Sequence, residues 1–466
     1  MTGPNRGSPI YRVLFANPET TFGTDPTGYP VAADAVRIIS ASVSVKAPTQ
    51  AREDAFGTGT KNGSIDLKLT AEWSVDMYLY TAGAASTAPD VDDLLQNCLL
   101  LQRQDAVSNS AVSGGTATTT VIPITEGHGA NFTAGKSCVT ISGETRRIAS
   151  INTGANPDEL TLSVPLSTAP ASGVVVTSGI TYFPHDGADS DPDGCTLWIG
   201  NNAHMWRLTG SVATSGAITG GGDGAIRISM SGRAREAVLL YTGTIASSMS
   251  SSQLTATVAN VDIVPDDVSA TNPYYFTIDK GEASEENVKV TAKNTGTNVL
   301  TIERSSPSGS AFSHNSGATI EPYQPAGTYT GSPIPATGGH CYMADVLTQV
   351  ETFSTEIDTG LIVREDEHGR NYKMSDYVQG LRTVTMGVES WSVNNPNMHR
   401  VRDALQRASA DVFAQQGDTT GSIVAVECPE VFSEAPDFSF DDGEVRLSFT
   451  GEARGSVENE VFILIG

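Results

Sequence analysis

The sequence predicts an all-β protein that contains one domain twice, and three observations lead to this prediction. The chain has 46 glycines and 23 prolines among 466 residues, and only 17% of its residues are charged. Such a composition is typical of sheet proteins rich in turns. A strand-like segment occurs at residues 224–235 (GAIRISMSGRAR) and again at 443–454 (GEVRLSFTGEAR). Two shorter repeats precede it in the same order, which favours duplication of a whole domain over chance similarity.

The first of the shorter repeats is a charged triplet that is followed by a glycine three residues later. It occurs as Arg52-Glu53-Asp54 and as Arg364-Glu365-Asp366. The second is a tryptophan followed by serine and valine, at residues 73–75 and 391–393. The shared order predicts that Trp73 and Trp391 occupy equivalent positions in the two halves.

The segments around the two tryptophans have the pattern of strands. Residues 64–75 alternate strictly between apolar and polar side chains, which predicts one long, half-buried strand with Trp73 on its core face. Residues 383–393 alternate in the same way until the pattern shifts at Glu389-Ser390. A β-bulge at that point would return Trp391 to the core face.

One short helix is predicted in each half, after these strands. Pro89 precedes apolar residues at helical spacing up to Leu101, and Pro396 precedes a similar pattern up to Ala408. The repeated segment then supplies a closing strand in each half, at 225–230 and 444–449. Each closing strand follows a glycine-bearing turn.

The first half is longer because short strands and turns fill residues 108–185. A similar module follows at 244–339, and both contain an Asn-Thr-Gly turn, at 152–154 and 294–296. Segments rich in serine and glycine flank these modules and are typical of joints between domains. The predicted division is a first core domain at 1–107 and 186–243, a small inserted β domain at 108–185, a second small β domain at 244–339, and a second core domain at 340–466.

The charge of the chain disfavours a protein that grips DNA. Lys and Arg number 28 against 53 Asp and Glu, so the formal net charge is −25. Such a balance repels a phosphate backbone. Solubility alone explains many acidic proteins. A wall along which DNA slides without binding is the more specific hypothesis.

The cysteines and the apolar runs indicate a protein that folds in a cytoplasm. The five cysteines are widely spaced and form no Cys-x-x-Cys pair, which favours buried, reduced thiols over disulfides or zinc. No apolar run approaches the ~20 residues of a membrane span. The first residues also lack a basic segment followed by an apolar one.

No catalytic, cofactor-binding or metal-binding residues are predicted, so the chain is not expected to be an enzyme. The seven histidines are scattered and form no recognisable catalytic set. Residues 189–194 (DSDPDG) resemble the start of a calcium-binding loop, but Gly200 stands where that loop needs a bidentate Glu. A solvated acidic turn is the favoured interpretation.

The assembled pattern resembles the tail tube protein, or major tail protein, of long flexible-tailed bacteriophages. The resemblance rests on residues 19–26 (ETTFGTDP), on the strand leading into Trp73, and on the closing segment 423–466 with Pro429 and an Asp-Asp-Gly turn at 441–443. Residues 273–320 are similar to the accessory, immunoglobulin-like β domains of phage tails. The match spans most of the chain.

The resemblance implies a structural virion protein without enzymatic activity or cofactors. In that family one β-sandwich or barrel domain forms one sixth of a ring, so two fused domains imply a trimeric, pseudo-sixfold ring. The loops with Arg52, Glu53 and Asp54 and with Arg364, Glu365 and Asp366 are then candidates for contacts between stacked rings. A solvated hairpin with a local ion pair is the alternative. The implied partners are further copies, the tape measure, tail terminator and distal tail proteins, and DNA that passes without specific binding or any membrane contact.

A second hypothesis is a tail adhesin or fibre that binds a host glycan or surface protein. Tyr274, Tyr275 and Phe276 would suit stacking on sugars if they were exposed. Burial in the core of a small domain is the favoured interpretation, since aromatic residues supply much of such cores. The predicted location is the virion tail, after assembly in the host cytoplasm.

Overall fold

A computed structural model describes residues 13–46, 49–51, 64–66, 69–185, 194–201, 203–222, 224–329, 331–336, 338–364, 376–391, 406–434, 437–441, 444–455 and 459–466. Strands dominate this part of the chain and form several sheets, which confirms the predicted all-β class. Helical structure within it is limited to a short π-helix, Leu94–Cys98, and three 3-10 turns, at Ala32–Asp34, His128–Asn131 and Val261–Ile263.

The strands are numbered along the chain. The first eighteen are β1 (Val13–Pro18), β2 (Ala35–Val36), β3 (Ser40–Lys46), β4 (Thr49–Ala51), β5 (Ser64–Asp66), β6 (Thr70–Tyr78), β7 (Leu101–Asp105), β8 (Ser110–Ala111), β9 (Val121–Ile124), β10 (Cys138–Ile141), β11 (Glu144–Asn152), β12 (Asp158–Leu162), β13 (Val175–Ser178), β14 (Ile180–Pro184), β15 (Cys195–Gly200), β16 (His204–Gly221), β17 (Arg227–Ala234) and β18 (Glu236–Tyr241). The others are β19 (Gly243–Thr244), β20 (Thr255–Thr257), β21 (Tyr274–Ile278), β22 (Glu286–Asn294), β23 (Val299–Arg304), β24 (Thr319–Pro322), β25 (Cys341–Met343), β26 (Val346–Thr348), β27 (Val350–Asp358), β28 (Leu361–Arg364), β29 (Asp376–Gln379), β30 (Thr383–Trp391), β31 (Ser409–Thr419), β32 (Ser422–Ser433), β33 (Asp437–Asp441), β34 (Glu444–Ala453) and β35 (Phe462–Ile465).

Eight strands of the main sheet follow one another in the order β3-β6-β17-β16-β27-β30-β34-β33, and each neighbouring pair is antiparallel. The first four come from the first half of the chain, and the last four come from the second half. β16 and β27 pair over residues 215–221 and 352–358. The two core domains that the sequence predicts therefore share one continuous sheet.

The repeated segment occupies equivalent places in the two halves. β17 pairs with β6 so that Gly232 lies opposite Trp73, and β34 pairs with β30 so that Gly451 lies opposite Met386. Gly232 and Gly451 hold the same position in the repeated segment. The strand pairing therefore supports the duplication that the sequence suggests.

The neighbouring strands extend the match to the charged triplets. Val43 of β3 lies opposite Trp73, and Thr355 of β27 lies opposite Met386. Each charged triplet begins nine positions after its member of this pair, since 52 − 43 and 364 − 355 are equal. Short strands continue both hairpins, because β4 pairs with β5 and β28 pairs with β29.

The predicted equivalence of Trp73 and Trp391 is wrong by five residues. Arg227 and Arg446 hold the same position in the repeated segment, and they lie opposite Tyr78 and Trp391. Trp391 is therefore the counterpart of Tyr78. Both tryptophans lie in alternating strands, and a short match cannot distinguish two positions on such a strand.

The β-bulge predicted at Glu389-Ser390 is also wrong. β30 pairs with β34 without a register shift. Every second residue of β30 is buried, and this alternation continues as far as Ser390. The irregularity lies on the facing strand, between Val350 and Thr352 of β27. A polar residue thus takes a core position that the sequence pattern reserves for the tryptophan.

Two other predicted elements differ in extent. The long strand predicted at 64–75 is present as β5 and β6, and Leu69 between them is 47% exposed although the pattern placed it on the core face. The helix predicted after Pro89 is only the turn Leu94–Cys98, and Leu101 already belongs to β7. The helix predicted after Pro396 lies mostly outside the described residues.

The two small sheets have the same topology. Their strand orders are β8-β13-β10-β11-β12-β9 and β19-β24-β21-β22-β23-β20, so every strand of one sheet has a counterpart in the other. Isolated bridges from Val112 to Ile124 and from Ile245 to Val258 bring the two ends of each sheet together. Each small sheet is therefore barrel-like. This closure limits exposed sheet edges, which otherwise invite pairing with other chains.

The small domains begin one or two residues before their predicted bounds and end inside them. The first follows Asp105 of β7, which lies opposite Ile180 of β14. β14 belongs to the main sheet, although the sequence assigned it to the inserted domain. Ile334, assigned to the second small domain, is likewise buried in the main core. Short apolar segments at these edges fit either domain by pattern, and only long-range pairing separates them.

Candidate functional site

The structure describes one of the six predicted ring-stacking residues. Arg364 is exposed at the end of β28, on the hairpin formed by β28 and β29. The other five lie outside the described residues: Arg52, Glu53, Asp54, Glu365 and Asp366. Both hairpins that carry the triplets depart from the main sheet as separate two-stranded sheets.

The β28–β29 hairpin bends across the joint between the two halves. Gly360 has a φ of +64°, and a Cβ there would lie 2.1 Å from the Leu381 carbonyl oxygen, so the bend favours glycine. Beyond the bend, Tyr377 packs edge-on against Phe22 with ring centroids 5.2 Å apart. Tyr377 also belongs to one buried apolar cluster with Leu100 and Val212 of the first half. The second half therefore covers part of the first.

The opposite face of this hairpin is apolar and open. Ile362 and Val378 lie opposite each other in the strand pairing, and they are 62% and 36% exposed. Leu381, just after the hairpin, is 94% exposed. The candidate stacking hairpin therefore combines the charged Arg364 with exposed apolar side chains.

The joint between β16 and β27 buries the side chains at its centre. Ile357 of β27 is 1% exposed, Thr355 is fully buried, and Ile218 of β16 is 1% exposed. Thr359 extends the joint, because its hydroxyl donates to the carbonyl oxygens of Ala213 and Thr214 at 2.9 and 3.0 Å. The two halves are thus held by a strand pairing with a closed apolar side.

The outer strands of this eight-stranded run each have a neighbour on one side. β3 pairs with β6 alone and β33 with β34 alone among the described strands. In the internal repeat, β3 is the counterpart of β27 and β33 is the counterpart of the end of β16. The two outer edges are therefore the counterparts of the two strands that meet at the central joint.

One face of the eight-stranded run is polar, and we call it the serine face. It alternates with the buried residues along each strand. Its serines are Ser40, Ser42, Ser44, Ser74, Ser215, Ser229, Ser231, Ser354 and Ser448. Its acidic residues are Glu72, Asp76, Glu356, Asp358, Glu389 and Glu452, and its basic residues are Lys46, Arg227, Arg233 and Arg446. Acidic side chains thus outnumber basic ones on a surface that also carries these nine serines.

The segment 19–26, on which the family resemblance partly rests, is fixed by a buried carboxylate. Glu19 accepts hydrogen bonds from the Thr196 hydroxyl at 2.6 Å, the Gly210 amide at 2.8 Å and the Gly23 amide at 2.5 Å. Burial raises the pKa of Glu19 to about 6, although these donors oppose the shift. The sequence gives no signal for this role, since the partners are far away along the chain.

The second small domain packs on the first half through the same segment. The Arg207 guanidinium of β16 donates to the Tyr274 hydroxyl at 3.0 Å and lies 3.9 Å from the Asp25 carboxylate. Tyr275 packs against Tyr29 with ring centroids 4.8 Å apart. Tyr274 and Phe276 are fully buried, which confirms the core role predicted for these two, whereas Tyr275 is only partly buried.

The first small domain packs on the second half. Arg147 of β11 pairs with the Glu427 carboxylate of β32 at 2.5 Å, and both side chains are largely buried. Gln415 of β31 accepts from the Thr145 amide at 3.0 Å and donates to the Gly143 carbonyl at 2.9 Å. Both small domains are therefore attached through buried polar contacts, and the second also shares an apolar cluster with Phe15 and Trp198 of the first half.

The side chains that could ligate a metal ion are dispersed over the described part of the chain. The described residues contain no group of three or more His, Cys, Asp or Glu side chains placed to hold a metal ion. His314 lies between the Asp279 and Glu286 carboxylates, at 2.9 and 3.0 Å, but it is buried inside the second small domain. All five cysteines are buried and unpaired, which confirms the predicted thiols. The calcium-like loop lies outside the described residues except for Gly194.

No helix of the described part of the chain has the length and apolar character needed to cross a membrane. Comparison with models of known protein families gives no match, and comparison with curated proteins gives no relative.

Proposed function

We propose that this chain is the tail tube subunit of a long flexible-tailed bacteriophage. Three copies form a pseudo-sixfold ring, and stacked rings enclose a channel for DNA delivery into the host. The single observation that carries the proposal is the eight-stranded run, in which two related four-stranded units join edge to edge and leave two related edges open. Closed rings built from repeated interfaces satisfy such edges.

The serine face supports a channel wall. Small hydroxyls present a smooth hydrated surface, and the acidic surplus repels a polyanion that comes within the screening length of ~8 Å. The ion pair between Lys46 and Glu72, at 2.5 Å, pairs one basic group with one acidic group, so the acidic surplus is unchanged. DNA that passes such a wall slides instead of binding.

The remaining roles follow from the ring. The β28–β29 hairpin, with Arg364 and its exposed apolar face, would contact the adjacent ring. The tape measure protein would lie in the channel, and the tail terminator and distal tail proteins would meet the two ends of the tube. The protein would be assembled in the host cytoplasm and act in the virion tail.

Electron microscopy and native mass measurement of the purified chain test the proposal. We expect rings of three chains that stack into tubes with a continuous channel. Rings of six chains would contradict the trimeric arrangement. Isolated monomers or trimers that bind host glycan would contradict the tail tube proposal and support the adhesin hypothesis.

Removal of both small domains tests whether they are decoration. Joining Asp105 to Gly179 and Thr242 to Tyr323 through short flexible linkers keeps β14 and Ile334, which cuts at the predicted domain bounds would remove. We expect soluble protein that still polymerises. Folded protein that never forms tubes, under conditions where the intact chain does, would show that the small domains supply assembly contacts.

A further inference from the structure

We infer that copies of this chain join through β33 of one copy and β3 of the next, antiparallel, with Ser439 opposite Ser42. The partner is therefore a second copy of the same chain, and the contact is a strand pairing of defined register. This inference rests on the proposed ring for its biological setting. Its geometry comes from the internal repeat alone.

The central joint supplies the pairing to be copied. In that joint Thr219 of β16 lies opposite Ser354 of β27. Thr219 also lies opposite Arg227, while Ser439 lies opposite Arg446, so Ser439 is the counterpart of Thr219.

Val43 of β3 and Thr355 of β27 are counterparts. Ser42 and Ser354 each come one residue earlier, so Ser42 is the counterpart of Ser354. Transferring the joint to the open edges therefore places Ser439 opposite Ser42. It also places Asp441 opposite Ser40 and Asp437 opposite Ser44.

The exposed side chains of β3 indicate that a neighbouring strand is missing from its open edge. Val45 is 38% exposed, whereas its counterpart Ile357 at the central joint is 1% exposed. Val43 is partly exposed, whereas its counterpart Thr355 is fully buried. β3 thus presents apolar side chains at the positions that the central joint closes, and a strand in the β33 register would cover them.

Charge also favours the pairing. Asp437 is exposed and would lie opposite Ser44, diagonally next to Lys46. At the central joint the counterpart of Lys46 is Asp358. Lys46 already pairs with Glu72 at 2.5 Å, so Asp437 would approach a lysine–glutamate pair instead of a further carboxylate.

The contact is not made within the described chain. β3 and β33 stand at the two ends of the run of eight consecutive strands. The two edges make no pairing with each other among the described residues. A crosslink between them therefore reports contact between copies.

Disulfide trapping tests the register in the full chain. We expect Ser42→Cys combined with Ser439→Cys to give covalent dimers and trimers under mild oxidation, because opposite residues of antiparallel strands have Cα atoms roughly 4.5–5.5 Å apart, which a disulfide spans. The control is Ser44→Cys combined with Asp441→Cys, which uses the same strands four positions out of register. It should remain monomeric in a non-reducing gel.

The outcomes separate this inference from the proposed function. Crosslinked trimers that never stack into tubes would support the joint and overturn the tail tube. Tubes in which only the control pair crosslinks, or in which neither pair does, would overturn the proposed β33–β3 pairing. The tail tube proposal would still hold. Protein that neither crosslinks nor forms tubes would overturn both.

Discussion

The two four-stranded units of the main sheet keep the same strand register but fill their cores differently. In the first unit Trp73 occupies the position that Met386 holds in the second. One strand away the sizes are reversed, because Ala41 of β3 corresponds to Phe353 of β27. Backbone pairing is thus retained while side-chain volume is redistributed, which cores tolerate when the total is preserved.

Both four-stranded units have a glycine at one equivalent position, where the backbone of a neighbouring strand comes close. A Cβ at Gly232 would lie 2.1 Å from the Val212 carbonyl oxygen, and one at Gly451 would lie 2.8 Å from the equivalent oxygen of Phe432. Both strands shift register nearby, which brings these carbonyls close. The glycine of the repeated segment is therefore set by close approach of the backbone.

The largest expected effect comes from placing a charge at equivalent positions of the open edge of β3 and of the closed joint between β16 and β27. Val45→Asp should abolish assembly while changing the free energy of unfolding by less than about 0.5 kcal/mol, as for other surface substitutions. Ile357→Asp, at the equivalent buried position, should prevent folding because it buries an unpaired charge. Size-exclusion chromatography and circular dichroism measure both outcomes. Val175→Asp, at a residue 56% exposed on the first small domain, is the control and should assemble normally.

The next comparison concerns core volume. Trp73→Ala should lower the free energy of unfolding by about 4 kcal/mol and Met386→Ala by about 3 kcal/mol, since each leaves a cavity in a buried site. Urea denaturation followed by tryptophan fluorescence and circular dichroism measures the loss. Equal losses in the two halves would show that the cavities collapse to different extents.

The shared glycine should tolerate alanine worse in the first half. Gly232→Ala places its Cβ closer to a backbone oxygen than Gly451→Ala does, so we expect losses of about 3 and about 2 kcal/mol. Thermal unfolding of the two variants gives the order. A larger loss at Gly451 would contradict the carbonyl approach as the cause.

The smallest expected effect is a pH dependence. Burial and the neighbouring Asp92 carboxylate raise the pKa of Asp93 from 3.8 to about 7. Its protonated form is therefore favoured in the folded state, and this stability is present below pH 3.8 and lost as the pH rises through 7. In the second half, burial raises the pKa of Asp411 to about 6, which acts in the same direction.

We expect the melting temperature to fall by a few degrees between pH 5 and pH 8, and Asp93→Asn to reduce that fall. Differential scanning calorimetry across this range provides the measurement. Asp262→Asn is the matched control, since Asp262 is exposed and lies outside the two edge strands, and it should leave the slope unchanged. A melting temperature that rises towards pH 8 would contradict the raised pKa values.

Much of the fold could be predicted from short-range patterns. Alternation identified β6, β30 and the closing strands, and composition identified the all-β class. The order of the repeats located the duplication. The patterns failed where a long-range partner decides, as for Trp391, whose counterpart follows from pairing with Arg446. The charged triplets were found from sequence, yet only Arg364 lies in the described part of the chain.

The candidate assembly surface was beyond sequence reasoning. Nothing in the sequence indicates that β16 meets β27, since more than a hundred residues separate them. The exposure of Val45 and the burial of Ile357 follow from that meeting. So do the buried roles of Glu19 and Glu427, whose partners are distant along the chain.

The sequence by itself determined the all-β class, the repeated strands and the acidic charge, because alternation, turn composition and net charge are local or additive properties. Only the tertiary structure decided which strands are neighbours, where the small domains attach and which edges remain open. Antiparallel strands of similar composition pair in many registers with similar local energies. The choice among those registers is made by packing of the whole sheet, including the glycines at 232 and 451 that admit the neighbouring backbone.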